Sequence, residues 1–446
     1  MKDSTSAALP SSPSAASVLF NLPGYRVTDV VRDDGGDGGG HRTVRVVSTA
    51  TEGACPSCGV LTSRVHQRTT QRLRDVPFDG VVTVHWVKRR WRCAEPQCVR
   101  RSFTEHTAQV PPRARMTTRL KDALVEAVAG EARPVERVAA QFGVSWPTVM
   151  RQLTAAMLVL AAQRQGRPRL VWRLGIDEHR FRSVRWFRDP DQPADGPGRW
   201  RRVEPWMTCL VDLSSGNVID LVDGRDSKAV STWLEAQPKW WRRRVEVVAI
   251  DPSAAFRSAV RRLLPKARVS VDHFHLVKLA NDTVTAVRRR VSWDRHDRRG
   301  RQIDLAWAHR LLLLRGYDTL SARGRGRLDD VLAADDPTKE ISAAWGVKEQ
   351  LRLVLACTTL VEARAARRRF DQYVAWAAMP ETTRLKKTID AWWPEIETFI
   401  LTRATNAKTE AANVTIKNLK RTGRGYRSPA NYRCRIMAYN TARSAA

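Results

Sequence analysis

The chain has 446 residues, of which 77 are Lys or Arg and 46 are Asp or Glu, leaving a surplus of 31 positive charges at neutral pH. That length excludes a peptide or a single small module and allows roughly two to four domains, each with its own core, while the surplus calls for a polyanion as partner, nucleic acid first. No run approaches the ~20 apolar residues of a bilayer span, and no charged region followed by an apolar signal core opens the chain, so a cytoplasmic protein without a membrane partner is expected.

Residues 1–43 read as a disordered N-terminal tail: Ser, Ala and Pro dominate to about residue 15, and Asp33 to Gly40 is Gly and Asp without an apolar anchor. A small β-rich module is expected over 44–110, with a strong ribbon strand at 81–91. Within it, Cys55-Pro-Ser-Cys58 and Cys93-Ala-Glu-Pro-Gln-Cys98 place two thiolates on each of two turns that the ribbon folds together. Four soft, charged thiolates suit a tetrahedral structural zinc and leave no open position for chemistry. His66 and His85 lie between the pairs but are not needed as ligands, and Cys209, Cys357 and Cys434 stand alone without a motif.

Past Pro111 and Pro112 the periodicity turns helical, and 111–165 is predicted as helices at 117–129, 135–142 and 145–160. Val138, Ala139 and Phe142 face inward, Gly143 permits a turn, Val144 plugs it, and Ser145 caps a second helix. That second helix presents Trp146, Thr148, Arg151 and Gln152 outward, the layout of a helix-turn-helix reader of DNA. A helical hairpin used only for packing shows the same period. Arg, Gly and Pro at 164–169 read as a linker.

From 170 to 285 the pattern is strand 170–176, a hairpin of 205–213 and 218–222, helix 228–236, strand 245–250, helix 252–264, strand 268–271 and a long helix from 274. This β-β-β-α-β-α-β-α order resembles a ribonuclease H-like core. The Arg-rich stretch 286–394 has helical periodicity and no strand pattern, so an all-α insertion is expected, and 395–419 reads as one closing helix of the core before a basic C-terminal segment to 446.

Leu174-Gly-Ile-Asp177 and Val247-Val-Ala-Ile-Asp251 each put an acid at the end of a buried strand, where an unpaired carboxylate is costly and a cation is the usual remedy. Glu410, in Thr405-Asn-Ala-Lys-Thr-Glu410-Ala-Ala-Asn413, lies on a late helix whose face can close over that sheet edge. Three carboxylates can hold the two divalent ions that activate a water or 3′-hydroxyl and stabilise the leaving oxygen in phosphoryl transfer, and hard oxygen ligands favour Mg2+, or Mn2+ in its place. Asp272 also ends a short strand and competes with Asp251 as second ligand; with Asp251 preferred, Asp272 and His275 become a pair that orients the edge or touches DNA.

These motifs resemble the ISL-three family of insertion-sequence transposases within the DDE group, with coverage from about Cys55 to Met437. The similar features are the four-cysteine finger, Gly143-Val-Ser-Trp, Gly175-Ile-Asp177-Glu, Ile250-Asp251-Pro-Ser, Val271-Asp272-His-Phe-His275 and Asn406-Ala-Lys-Thr-Glu410-Ala-Ala-Asn413, with Ile416-Lys-Asn-Leu-Lys-Arg421 beyond. The resemblance implies that Asp177, Asp251 and Glu410 form the metal triad and that the helical insertion between second and third acid is typical of the group. It also implies binding to terminal inverted repeats, metal-dependent strand cleavage and strand transfer, and assembly of a homodimer or larger synaptic complex on bacterial nucleoid DNA. Lys417, Lys420, Arg421, Arg424 and Arg427, interleaved with Gly and Tyr and followed by Arg433 and Arg435, read as a phosphate clamp. The rival readings are a DNA-binding regulator built from the same finger and bihelical module, and an inactive transposase remnant.

Overall fold

The computed structural model describes residues 14–33, 40–165, 169–193, 195–196 and 199–445. The chain divides into two compact units, one of 1–165 with 421–424 and 430–446, the other of 166–420 with 425–429.

The first unit opens with α1 (Ala15–Phe20), β1 (Tyr25–Asp33), β2 (His41–Ser48), β3 (Gly53–Ala54), β4 (Leu61–Thr62), β5 (Val65–Asp75), β6 (Val81–Arg92) and β7 (Ser102–Thr104). The main sheet runs β1-β2-β6-β5, with β7 also on β6. Alternation sends Val44, Val46, Val82, Val84 and Trp86 to one buried face, where Leu22, Tyr25 and Val27 join them. This corrects the expectation of a disordered tail over 1–43: Tyr25 and Val27 alternate into the core, and β1 pairs antiparallel with β2 from Tyr25↔Ser48 to Asp33↔His41. The low-complexity residues 1–13 and 34–39 of that expectation lie outside the described residues. Next come α2 (Thr118–Ala129), α3 (Val135–Gln141) and α4 (Trp146–Gln165), close to their predicted bounds. They share a core of Leu120, Leu124, Val138, Val149 and Leu153. The expected linker at 164–169 falls partly outside the described residues.

The second unit is built on β8 (Arg173–Arg180), β9 (Arg185–Arg188), β10 (Trp200–Val203), β11 (Trp206–Asp212), β12 (Asn217–Asp223), α5 (Ser227–Glu235), α6 (Lys239–Arg244), β13 (Val247–Ile250), α7 (Ala254–Leu263), β14 (Arg268–Val271) and α8 (His273–His296). Five strands form one mixed sheet in the order β12-β11-β8-β13-β14. β12, β11 and β8 pair antiparallel, while β13 runs parallel to both β8 and β14. The expected element order is present; the β9–β10 ribbon and α6 are additions to it.

The helices α9 (Leu305–Ala308), α10 (Arg310–Leu314), α11 (Ala322–Ala334), α12 (Glu340–Ala356), α13 (Leu360–Ala377) and α14 (Pro380–Ala391) make the insertion all-α. It is not a free appendage. Val347 and Leu351 of α12 and Phe370 of α13 share the core of Ile176, Val248 and Ile250. The closing helix expected over 395–419 is two helices, α15 (Trp393–Thr402) and α16 (Ala407–Thr422), because Arg403 takes the left-handed conformation at φ 51 and ends the first. The last helix, α17 (Pro429–Ala445), belongs from residue 430 to the first unit, where Ala438 enters the α2–α4 core.

Candidate functional site

In the first unit, Cys55 and Cys58 flank a turn beside the β3–β4 pair, and Cys93 and Cys98 follow the end of β6. The Cys55 and Cys98 sulfurs are 3.9 Å apart and those of Cys58 and Cys93 are 3.6 Å apart. A disulfide needs about 2.05 Å, whereas these distances match the edges of a tetrahedron with Zn–S bonds of about 2.3 Å. All four sulfurs lie within 4.8 Å of one another, with neither His66 nor His85 among them. The Ser57 amide draws the Cys55 thiol down to about 6, whereas at Cys93 and Cys98 the Glu95 and Arg100 amides are outweighed by burial and the neighbouring sulfurs, which push the thiols up, the crowding that a divalent cation among four sulfurs relieves. Soft donors, charge and geometry all fit one structural zinc ion. Trp91 and Phe103 pack against Cys55 and Cys98, and Arg89 stacks over Trp91 at 4.4 Å.

The turn between α3 and α4 has Gly143 at φ 61, and its carbonyl accepts a hydrogen bond from Arg74 of β5. Trp146 and Arg151 are exposed at the start of α4, and Gln152 is partly so. Thr148 is less free than expected, since its hydroxyl meets that of Ser145 at 2.9 Å. These side chains occupy the N-terminal turns of a second helix, where a helix-turn-helix presents its reading residues.

In the second unit, Ile176 pairs with Ile250 and Ile250 with Val271. One step further along each strand come Asp177, Asp251 and Asp272, so three acids stand side by side along one edge of the sheet. Glu178 N donates to Asp177 Oδ1 at 2.7 Å, and Asn413 Nδ2 donates to Oδ2 at 2.7 Å. Asn406 Nδ2 contacts Asp251 Oδ1 at 3.2 Å and the Ile176 carbonyl at 3.1 Å, while its backbone N–H reaches Asp272 Oδ1 at 3.3 Å. Asn406, the residue before α16, and Asn413 are spaced two helical turns apart, and Glu410 lies between them on the same face. Gly175 permits the approach: a Cβ there would run into Thr409 Oγ1 and lie 2.7 Å from Leu213 Cδ2.

His275 bridges the other two acids, with Nε2 at 3.1 Å from Asp251 Oδ2 and Nδ1 at 3.1 Å from Asp272 Oδ2. Burial and then the neighbouring Asp177 charge push Asp251 up to about 7, and burial raises Asp177 as well. Burial also acts on Asp272, but the His275 ring and the Asn406 amide outweigh it and hold the carboxyl low. The hydrogen bond to Asp272 in turn raises His275. Crowded carboxylates that resist ionisation, as Asp177 and Asp251 do, are the environment that a divalent cation relieves, and their oxygens are the hard donors it takes. Asp251, Asp272 and His275 have ligand atoms all within 4.8 Å of one another, a closer group than Asp177, Asp251 and Glu410 make.

Of the basic residues, Lys417, Arg421, Arg424 and Arg427 are exposed, and Lys420 Nζ caps the Arg180 carbonyl at 2.9 Å. Arg435 departs from the expected clamp. It is buried in the first unit, donating to the Val128 carbonyl in the last turn of α2 and to the Arg133 carbonyl beyond it. Sequence reasoning missed Asn406 and Asn413 as residues that hold the acids, although their 7-residue spacing around Glu410 is helical.

Comparison with known proteins agrees with these modules. A transposase family model matches residues 174–436, a helix-turn-helix domain of transposase family ISL3 matches 105–156, and a zinc finger of the transposases of IS204, IS1001, IS1096 and IS1165 matches 51–98. The transposase for insertion sequence element IS1001 of Bordetella parapertussis is 24% identical over 421 residues, 90% of this chain and 92% of the relative. Among solved structures, a pre-cleavage Mos1 transpososome is 15% identical and covers 64% of this chain and 84% of its own. The Mos1 paired-end complex with the left transposon end is 18% identical, with 57% and 83% covered. Both score a TM of 0.15, too low to bear on the fold. No helix among the described residues is long and apolar enough to cross a membrane. With family models spanning its finger, its bihelical module and the unit that carries the acids, the chain belongs to the ISL3 family of transposases, DNA-binding enzymes with a structural zinc.

Proposed function

We propose that this transposase binds the terminal inverted repeats of its own element through residues 44–110 and 111–165 and cuts and joins DNA in a ribonuclease H-like core. That core comprises 170–285 and the segment from 395 on, with 286–394 inserted. Asp177, Asp251 and Glu410 are the catalytic acids in this reading and hold two Mg2+ ions, with Mn2+ able to replace them. The observation that carries it is the pairing of Asp177 with Asn413 and of Asp251 with Asn406, with Glu410 between the two amides on α16. Bound there, divalent ions lower the pKa of an attacking water or 3′-hydroxyl and neutralise the leaving oxygen.

The chain's own residues supply the frame. Parallel strands β8 and β13 fix the spacing of two carboxylates, and α16 sets the third. His275 and Asp272 orient Asp251 through its Oδ2. Trp146, Thr148, Arg151 and Gln152 contact the end sequence, while Lys417, Lys420, Arg421, Arg424 and Arg427 grip backbone phosphates. Cutting two ends together calls for a homodimer or larger synaptic assembly, working on DNA in the bacterial cytoplasm.

A second ligand assignment has one observation in its favour, the tight Asp251, Asp272 and His275 group. In it, Asp272 replaces Asp177 or Glu410 as an essential ligand. Incubating the purified protein with an end-bearing plasmid and Mg2+ tests both. Asp177→Ala, Asp251→Ala and Glu410→Ala are expected to abolish cutting while end binding persists, with Asp272→Ala retaining residual cleavage. Full loss in Asp272→Ala beside activity in Asp177→Ala or Glu410→Ala establishes that second assignment, and full loss in Asp272→Ala beside residual cleavage in Asp251→Ala puts Asp272 in the place of Asp251. End binding without any Mg2+-dependent cutting by the wild type leaves only a DNA-binding regulator, and cutting by all four variants removes these acids from the chemistry.

A further inference from the structure

The β9–β10 ribbon belongs to the second unit and forms a two-stranded sheet of its own, apart from the five-stranded one. It prolongs the β8–β11 hairpin: Arg180 pairs with Trp206, Phe181 N donates to the Pro205 carbonyl at 2.9 Å, and Arg185 pairs with Val203 after an irregularity at 181–184. β8 therefore runs past Asp177, beyond the level at which β13 and β14 end, and the ribbon is the tip of that extension. Every residue of β9 is exposed, as are Trp200, Arg201 and Arg202 of β10. Trp186, Phe187 and Trp200 are 59%, 46% and 52% accessible. Single exposed aromatics are ordinary on protein surfaces. Three on one four-residue-by-four-residue ribbon are not, because an isolated two-stranded ribbon is marginal in water and gains nothing from displaying them.

Register sorts the side chains by face. Trp200 is opposite Arg188 and Trp186 is opposite Arg202, so both Trp and both Arg share one face, with Phe187 and Arg201 on the other. Trp186 and Trp200 are diagonal neighbours, roughly 7–8 Å apart along the backbone, a separation at which one planar base can lie between the rings. Arg202 is tied to Glu204 at 2.5 Å, but Arg185, Arg188 and Arg201 make no ion pair among the described residues. Aromatic faces interleaved with unpaired guanidinium groups suit a strand that offers bases and phosphates together, whereas a fully paired duplex offers no free base face.

We infer that the β9–β10 ribbon is a site for unpaired DNA: Trp186 and Trp200 stack on bases opened beside the scissile phosphate, while Arg188, on the same face, holds a flanking phosphate. The inference rests on the DNA-cutting reading, since that reading gives the ribbon its opened strand.

The test uses the full-length zinc-loaded protein in calcium buffer and two fluorescein-labelled 30-bp probes of the same arbitrary sequence, one fully paired and one with a central bubble of three mismatched thymines. Wild type is expected to prefer the bubble by about tenfold or more in anisotropy titrations, given the stacking strength of one or two bases. Trp186→Ala/Trp200→Ala should bind both probes alike, at the wild-type affinity for the paired one, and Trp186→Phe/Trp200→Phe should keep most of the preference. A preference untouched by the alanine pair, or equal weakening on both probes, overturns the assignment. So does a change of sedimentation state with the bubble preference intact, which would make the ribbon a contact between copies of the chain. Loss of cutting in Glu410→Ala tests the catalytic reading separately and leaves the bubble preference in place.

Discussion

Asn406 and Asp251 meet across 155 positions of sequence, the Asn406 amide donating to Asp251 Oδ1 at 3.2 Å and to the Ile176 carbonyl at 3.1 Å. One neutral side chain thus ties the start of α16 to β8, which carries Asp177, and to Asp251 just past the end of β13. The tie is formed by a group that bears no charge of its own, so it orients a carboxylate without competing for a cation.

Asn406→Ala is expected to leave a buried carbonyl and one carboxylate oxygen without their donor. Such a loss costs about 2 kcal/mol of stability, and the removal of a residue that orients a metal ligand typically costs roughly 10–100-fold in activity. Thermal unfolding and plasmid cleavage measure the two effects. A variant with a lowered melting temperature and unchanged cleavage at saturating Mg2+ would remove Asn406 from the positioning of Asp251.

The close seat of α16 on β8 is a second point of sensitivity. A methyl group at Gly175 meets Thr409 and lies 2.7 Å from Leu213 Cδ2, so Gly175→Ala should push α16 away from the sheet edge. Displacement of a catalytic group by about 1 Å can cost on the order of a hundredfold in rate. Cleavage should fall by about that factor while end binding and zinc content stay at wild-type levels. Adding Thr409→Ala should recover part of the loss, because it removes one of the two obstructing side chains; a double variant as slow as the single would assign the defect to something other than this contact.

How much of this was legible in the sequence follows from what each residue must hide. The acids at Asp177 and Asp251 stand out because each ends an apolar run that has to be a buried strand, and the four cysteines stand out by their pairing. The β9–β10 ribbon was invisible to the same reasoning: Arg185-Trp-Phe-Arg188 and Trp200-Arg-Arg-Val203 mix Arg with aromatics on both faces, so neither face is apolar and a rule based on burial has nothing to detect. The break at Arg403 carries neither Gly nor Pro, and a left-handed Arg is not announced by its neighbours. Strand β1 was overlooked because its short alternation, Tyr25 and Val27, sits between two low-complexity stretches. Asn406 and Asn413 carry no charge signal, and only the folded sheet edge reveals what their amides hold.

Zinc should be found at one ion per chain by elemental analysis, and Cys58→Ser should release it. The loss of one of four thiolates removes the closed tetrahedral shell on which a small module depends. Chelation or Cys58→Ser should abolish end binding, measured by gel shift. Mg2+ should still raise the unfolding temperature of the second unit in that variant, because the acids proposed to hold it, Asp177, Asp251 and Glu410, lie in the other compact unit. Full end binding by a zinc-free protein would contradict a structural role for the site.

Glu105 links the zinc module to pH. Its carboxylate accepts from Arg89 N–H at 2.9 Å, pairs with Arg89 Nη2 at 2.7 Å and takes a further hydrogen bond from Ser48. Burial pushes the carboxyl up, yet Arg89 and Ser48 outweigh it and hold the pKa below the ordinary glutamate value of 4.5. A carboxylate depressed in the folded state contributes stability that is complete above its unfolded pKa and is lost as pH falls through the folded one. The stability that Glu105 contributes to the first unit should therefore be complete above about pH 4.5 and be lost on acidification below it. Glu105→Gln should flatten that dependence, and Glu105→Ala should lower stability at pH 7 by about 3 kcal/mol through the Arg89 charge left without its partner. Denaturant titrations at pH 7 and pH 4 give both numbers, and an acid profile identical to wild type in Glu105→Gln would assign the acid sensitivity to other groups. Because Arg89 also stacks on Trp91 against the zinc cysteines, Glu105→Ala should raise the rate at which a chelator strips zinc at pH 7.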